Sequence, residues 1–233
     1  MTRLYDLIIS GGVVMWPLLL LSVLTLACAM DRAWFWFRLL SQESKIVHDV
    51  LHAARHDLNG AAAIADRTQS LPIGRYLRAP LRLRQPTPET FRLALESAGD
   101  KEFIQMRKGD KLLETIIAVA PLLGLLGTVT GLIATFSSLN IGGGGTSEQA
   151  TAAAAGIGEA LLTTAAGMVV AIMALLVFRT FVTLQARQMD YFSEVGNELE
   201  LIYRQFWYEP HLESHARNQM AAATTAPAST HES

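Results

Sequence analysis

Apolar positions along the chain fall into three long runs, separated by segments with helical alternation. The first run starts at Val13 and continues about 18 residues to Met30, followed by Asp31, Arg32 and an aromatic group, Trp34, Phe35, Trp36 and Phe37. The second extends from about Leu113 to Leu139, the third from about Ala152 to Phe178, with Arg179 at its end. Each is long enough to cross a bilayer as a helix, and the aromatic group after the first reads as an interfacial belt. The opening run is longer than the core of a signal peptide, and no A-x-A site follows it. It is therefore expected to be a spanning helix.

Between and beyond these runs the pattern stays helical. Breaks are expected at Asn59-Gly60, Leu71-Pro72 and Gln85-Pro86-Thr87-Pro88. After the third run, Met189, Phe192, Val195, Leu199, Ile202 and Phe206 keep a helical period. Thirteen Lys and Arg residues lie in 38–112, only Arg3 precedes the first run, and the glycine-rich turn NIGGGGTSEQ holds none. The positive-inside rule then puts 38–112 in the cytoplasm and the N-terminus outside. The reading is an all-α membrane protein with long cytoplasmic helical extensions: a periplasmic N-terminus (1–12), first span (13–37), cytoplasmic helical domain (38–112), second span (113–139), periplasmic turn (140–151), third span (152–178), cytoplasmic helix (179–219) and disordered tail (220–233).

The second and third spans carry residues that a purely lipid-facing helix would not need. In PLLGLLGTVTGLIATFSSLN, Gly124, Thr128, Gly131, Thr135 and Ser138 recur at four, three, four and three residues, making one stripe on a helix. Ala160, Thr164, Gly167, Ala171 and Ala174 repeat that spacing in the third span. Lipid supplies no hydrophobic drive for helices to associate, so small residues matter because they permit close backbone approach. Gly127 adds to the smooth wall, and Pro121 frees a backbone carbonyl where the span is approached from the cytoplasm. Threonine hydroxyls either bond back to their own helix or share one depth and form a polar ring. Thr164 lies fifteen residues before Arg179 and Thr128 seventeen after Lys111, about 22 and 25 Å. Glu159 is a carboxylate in the outer part of the third span, where burial costs about 2.5 kcal/mol or more and the default reading is functional. Thr163, one turn on, can face the same cavity.

Composition narrows the remaining classes. The chain is 51% hydrophobic and only 17% charged, below the quarter or so of a soluble domain. Its net charge of −2 gives no footprint for nucleic acid. The single cysteine, Cys28, excludes an intrachain disulfide or a CxxC site, and the glycine turn lacks the GK[ST] of a phosphate loop. No cofactor is expected. A metal enzyme is the rival class, because His48, His52 and His56 share a helix face and His211 and His215 form a second HxxxH. Membrane di-iron hydroxylases resemble this but use at least eight histidines. This chain has six, none adjacent. A dry structural scaffold is a third class, against which Glu159 argues.

LETIIAVAPLLGLLGTVTGLIATF (113–136) and AGIGEALLTTAAGMVVAIMALLVF (155–178) resemble the two signature helices of the MotA/TolQ/ExbB proton-channel family. The three spans and large cytoplasmic segment resemble its ExbB/TolQ branch more than the four-span MotA stators. The resemblance implies that Thr128 matches the threonine of GTVxG, Glu159 the glutamate of GIxEAL, and Thr164 the second threonine of the following pair. It implies that these line a pore in a homo-oligomer, a pentamer in the family, around the single helix of an ExbD/TolR-type partner carrying a membrane aspartate. It further implies residence in the bacterial inner membrane, contact with a TonB- or TolA-type protein, and no enzymatic activity. The proton motive force would drive TonB-dependent import through the outer membrane, or, in a TolQ-like role, maintain outer-membrane integrity. Ala155 and Met173 stand where family members often carry proline, which straightens the third helix here.

Overall fold

In a computed structural model that describes residues 12–138 and 147–225, the chain is helical throughout, with no strand among the described residues. The helices are α1 (Met15–Ala54), α2 (Leu58–Arg67), α3 (Pro72–Leu81), α4 (Pro88–Met106), α5 (Asp110–Ser138), α6 (Ser147–Tyr203) and α7 (Glu209–Thr225), with a π-helical turn at Arg204–Tyr208 between α6 and α7. Three helical stretches are long and apolar enough to cross a membrane. They cover most of each of the three apolar runs of the sequence, and the protein is a multi-pass, all-α membrane protein.

The chain divides into two compact units. One comprises the residues up to Trp36 with Arg107–Leu184, the other Phe37–Met106 with Gln185 onward. In the first unit, α1 buries Met15, Leu18, Thr25, Arg32 and Trp36 on one face and exposes Trp16, Leu20, Val23, Leu26, Met30 and Trp34 on the other. Thr25 satisfies its hydroxyl on the Leu21 carbonyl at 2.8 Å, the usual recourse of a hydroxyl in an apolar helix. Gly109 stands immediately before α5, and its φ of +95° suits that turn to glycine.

In the second unit, α1 continues its buried face with Leu39, Glu43, Ile46, Val50 and Ala54, spaced by four, three, four and four. Phe91 and Leu95 of α4, Ile73 and Leu77 of α3, and Phe192, Val195, Leu199 and Ile202 of α6 complete the core. Buried and half-buried aromatics anchor it through their polar ends. Tyr76 donates to the Phe192 carbonyl at 2.9 Å, Tyr203 to the Pro86 carbonyl at 2.7 Å, and Trp207 Nε1 to the Ala54 carbonyl at 2.8 Å. Burial, aided by Glu96, pushes the Tyr76 hydroxyl up to about 12, so it remains a donor. The half-exposed Arg75 clamps the buried Glu102 with two bonds, at 2.7 and 2.5 Å.

Several expected boundaries move. Asn59-Gly60 is not a break but the first turn of α2, because Asp57 caps that helix by accepting from the Asn59 N–H at 2.9 Å. The break falls instead at 55–57. Pro72 starts α3 and Pro88 starts α4, as residues already missing an N–H can. A further break falls at 107–109. The tail expected from 220 onward is helical through Thr225, where Ala221, Ala222 and Ala223 favour helix. Residues 140–146 of the expected glycine turn, most of the expected N-terminal segment and residues 226–233 lie outside the described residues, while 147–151, expected in that turn, are the first residues of α6.

A Cβ on Gly196 would lie 3.1 Å from Tyr76 Cζ, so this contact between α3 and α6 needs both residues as they are. Tyr76→Phe should lower stability by about 1 kcal/mol through the lost hydrogen bond. Gly196→Val should cost more, because the ring has to leave its site. The melting temperature of the detergent-purified protein, followed by tryptophan fluorescence, should fall in that order.

Candidate pore-helix pair and its carboxylate

The second and third membrane helices meet along their small residues. A Cβ added to Gly124 would lie 3.0 Å from the Thr163 carbonyl oxygen and from Thr164 Cα. One on Gly127 would come within 2.7 Å of Thr163 Cβ, and one on Gly131 within 3.0 Å of Ala160 Cβ. One on Gly167 would stand 2.5 Å from the Ala120 carbonyl oxygen, and one on Gly156 would strike the Thr135 hydroxyl. Nothing larger than glycine fits at Gly127 or Gly167 without separating the backbones, which is how small residues drive association in lipid. Ala160 and Ala171 are buried, as is Ala174. The two stripes thus face each other within one chain.

This pairing decides where each hydroxyl goes. Thr163 is buried and donates to the Ala160 carbonyl at 2.7 Å, while its neighbour Thr164 donates across the pair to the Gly124 carbonyl at 2.9 Å. Thr128 donates back to the Leu125 carbonyl at 2.7 Å, and Thr135 to the Gly131 carbonyl at 2.9 Å. Pro121 sits within α5, which continues unbroken through it.

An open cavity of about 580 Å³ lies along one edge of the pair. Glu159, Thr163, Thr135 and Thr130 supply its polar lining, with Gly12 and Val13 from the N-terminal side. Glu159 is exposed, and its Oε1 is 3.6 Å from where a Cβ on Gly12 would stand. No lysine or arginine forms an ion pair with it among the described residues. Thr128 and Thr164 do not line this cavity. By helical period they fall together on the opposite edge. The expected set is therefore divided: Glu159, Thr135 and Thr163 on one edge, Thr128 and Thr164 on the other. Thr130, which the stripe did not include, joins the first edge. A stripe drawn at steps of three and four from Thr128 passes it by, and the signal that finds it is Gly127 one turn before it and Ala134 one turn after, which line the same cavity.

The histidine face is laid out differently from a metal centre. His48 and His52 stack with centroids 6.2 Å apart, and His56 lies beyond the end of α1, 5.5 Å from His52. All three are exposed, and no group of three or more His, Cys, Asp or Glu is arranged to hold a metal among the described residues.

Residues 68–194 match the MotA/TolQ/ExbB proton channel family. The chain is 68% identical to the Synechocystis sp. protein named ExbB-like 1, over 90% of this chain and 82% of that one. It is 40% identical to Synechocystis sp. ExbB-like 3, over 90% of this chain and all of the relative. It is 31% identical to the biopolymer transport protein ExbB of Xanthomonas campestris, over 67% of this chain and 55% of that one.

The facing stripes make a direct test possible. With Cys28→Ser as background, Gly131→Cys combined with Ala160→Cys should oxidise to an intrachain disulfide. Their Cβ atoms start 3.0 Å apart, and a shift of several tenths of an ångström brings them into the usual range of about 3.5–4.5 Å. A non-reducing gel should show a faster monomer. Dimers alone would place the stripes between copies instead.

Proposed function

Because the chain belongs to the MotA/TolQ/ExbB proton channel family, we propose that it is the ExbB-like stator subunit of a motor complex in the bacterial inner membrane. As members of this family are channel and transport subunits, it is a proton-channel subunit of ExbB/TolQ type rather than an enzyme. In this reading, copies of the chain, five by family resemblance, surround a central pore with the N-terminus periplasmic and the C-terminus cytoplasmic. The pore holds the single helix of an ExbD/TolR-type partner, whose membrane aspartate takes up and releases protons. The motion is passed to a TonB-type protein that energises import through the outer membrane.

The observation that carries this reading is the division of the α5–α6 pair. Its closed, small-residue seam leaves one edge bearing Thr128 and Thr164 and another bearing Glu159. From Ala152 to Phe178, Glu159 is the one ionisable side chain, and between Thr115 and Leu139 there is none. A proton crossing a low-dielectric path needs titratable stations, so the partner's aspartate is required for conduction. Hydroxyls at Thr128 and Thr164 can order water beside it. Each already has a carbonyl acceptor, so its lone pairs remain available to a second donor. Glu159 then acts as a carboxylate at the outer end, close to Thr163 and Thr130.

Replacing Thr128 or Thr164 by Val keeps the shape and removes the hydroxyl. Each variant should abolish proton-driven work while the oligomer still elutes at its normal size. The bond lost at Thr164 is worth only about 0.6 kcal/mol in a membrane. Glu159→Gln should weaken function without loss of the helix. The measurement is proton flux into vesicles holding the chain and its single-span partner, alongside growth on an iron chelate or cobalamin. Normal flux with both threonines replaced by Val would remove the pore assignment. Normal import with a leaky outer membrane in a strain lacking this chain would assign it to a TolQ-like role instead.

A further inference from the structure

We propose that Glu43 and Gln188 form a proton-operated latch that joins α1 to α6 within the second unit. Both side chains are buried, Glu43 at 4% exposure and Gln188 at 3%, and so are the apolar residues one or two turns away on the same helices, Leu39, Ile46 and Val47 on α1 and Phe192 and Val195 on α6. Gln188 Nε2 donates a hydrogen bond to Glu43 Oε1. One helical turn earlier, Gln185 donates to the Met106 carbonyl at 3.3 Å, so two glutamines of α6 stand on the same buried stripe. Such a polar layer in an apolar helix seam fixes register and weakens the contact relative to hydrophobic packing.

The chemistry of this pair depends on a proton. A neutral carboxyl accepts from the Gln188 amide N–H without bringing a charge into the seam. An ionised carboxylate accepts that bond more strongly, but a charge then stands in an apolar seam. No lysine or arginine of α1, α4 or α6 bears on Glu43 to offset that charge among the described residues. From α4, the buried carboxylate Glu102 is held by Arg75. From α6, Tyr191 is the titratable group that feels Glu43. Its hydroxyl is pushed up by burial first, then by Glu43 and Glu194, and it stays neutral through the range at issue. Burial pushes the Glu43 carboxyl up to about 7, with the Gln188 bond acting in the opposite direction.

The sign follows from proton linkage. With the seam closed, Glu43 holds its proton up to about pH 7; with the seam open and hydrated, only up to about its ordinary value of 4.5. The latch is therefore fully supported below the open-state value. Its support is lost as pH rises from there through the closed-state value, and is level above it. Protons accumulating on the side that this unit faces would tighten α1 against α6, and their removal would loosen it. The latch stands on the second unit alone, so the threonine and glutamate variants of the membrane helices neither support nor remove it.

Hydrogen exchange of the full chain in detergent, corrected for intrinsic rates, tests this on peptides covering 39–50 and 185–199. The opening equilibrium should rise by roughly tenfold per pH unit between about pH 5 and 6.5 and become level above about pH 7.5. Glu43→Gln keeps an amide pair and should make the profile flat. Gln188→Met removes the partner that holds the value down, so the profile should level off at higher pH than in the parent. Tyr191→Phe should leave the parent profile unchanged. A flat parent profile, an unchanged slope in Glu43→Gln, an unmoved plateau in Gln188→Met, or loss of the slope in Tyr191→Phe would each overturn the latch. The Gln188→Met arm keeps the test decisive should Glu43→Gln fail to fold.

Discussion

The close approach of α5 and α6 is the constraint on which the membrane unit depends. Two apolar helices in lipid gain nothing from hiding oil-like surface, so they hold together only where atoms pack and dipoles meet. Here Gly124, Gly127, Gly131 and Gly167 remove the side chains that would keep the backbones apart. The same approach brings the Gly124 carbonyl within 2.9 Å of the Thr164 hydroxyl, a bond that exists only because no side chain at Gly124 stands between them. Packing and polar satisfaction are one arrangement, and the two edges of the pair inherit their chemistry from it.

The edges differ in what they offer a proton. On one, Thr128 and Thr164 are anchored to backbone carbonyls and carry no charge. On the other, Glu159 faces an open cavity with Thr130, Thr135 and Thr163. Large apolar side chains such as Leu122, Leu126, Ile133, Leu161, Val169 and Leu176 remain exposed on the outer faces of the two helices. A single chain therefore has a closed seam but uncovered flanks, as befits a protein whose outer helix faces meet lipid or further copies.

The second unit solves a different problem. Its helices pack as soluble helices do, with aromatic rings buried and their hydroxyl or indole groups spent on carbonyls of neighbouring elements. Against that background Glu43 is the exception, a carboxylate in the seam with an amide for company and no cation. Glu102, equally buried, shows the alternative, a guanidinium clamp. One fold thus contains one buried carboxylate held by a guanidinium and another held by an amide.

Much of this was legible along the chain, because hydrophobic runs and their period are local properties. The three membrane helices, the signature motifs and the small stripes are all visible as spacing in one dimension. Period places Gly124 and Gly131 on one face of a helix, but it leaves open how that helix is rotated against its neighbour. That rotation is set by which residues let the backbones close, and it alone separates Thr128 and Thr164 from Glu159 and brings Thr130 to the cavity. Asn59-Gly60 looked like a break because both residues favour turns; the Asp57 cap, one bond from a side chain to a backbone N–H, overrode that preference. Glu43 carries no signal along the chain, since α1 alone gives no sign that α6 covers it. The sequence by itself determined the class, the spans and the chemistry on hand. The tertiary structure decided which of those side chains share a cavity, a seam or a hydrogen bond, because burial and partner choice depend on helices far apart in the chain.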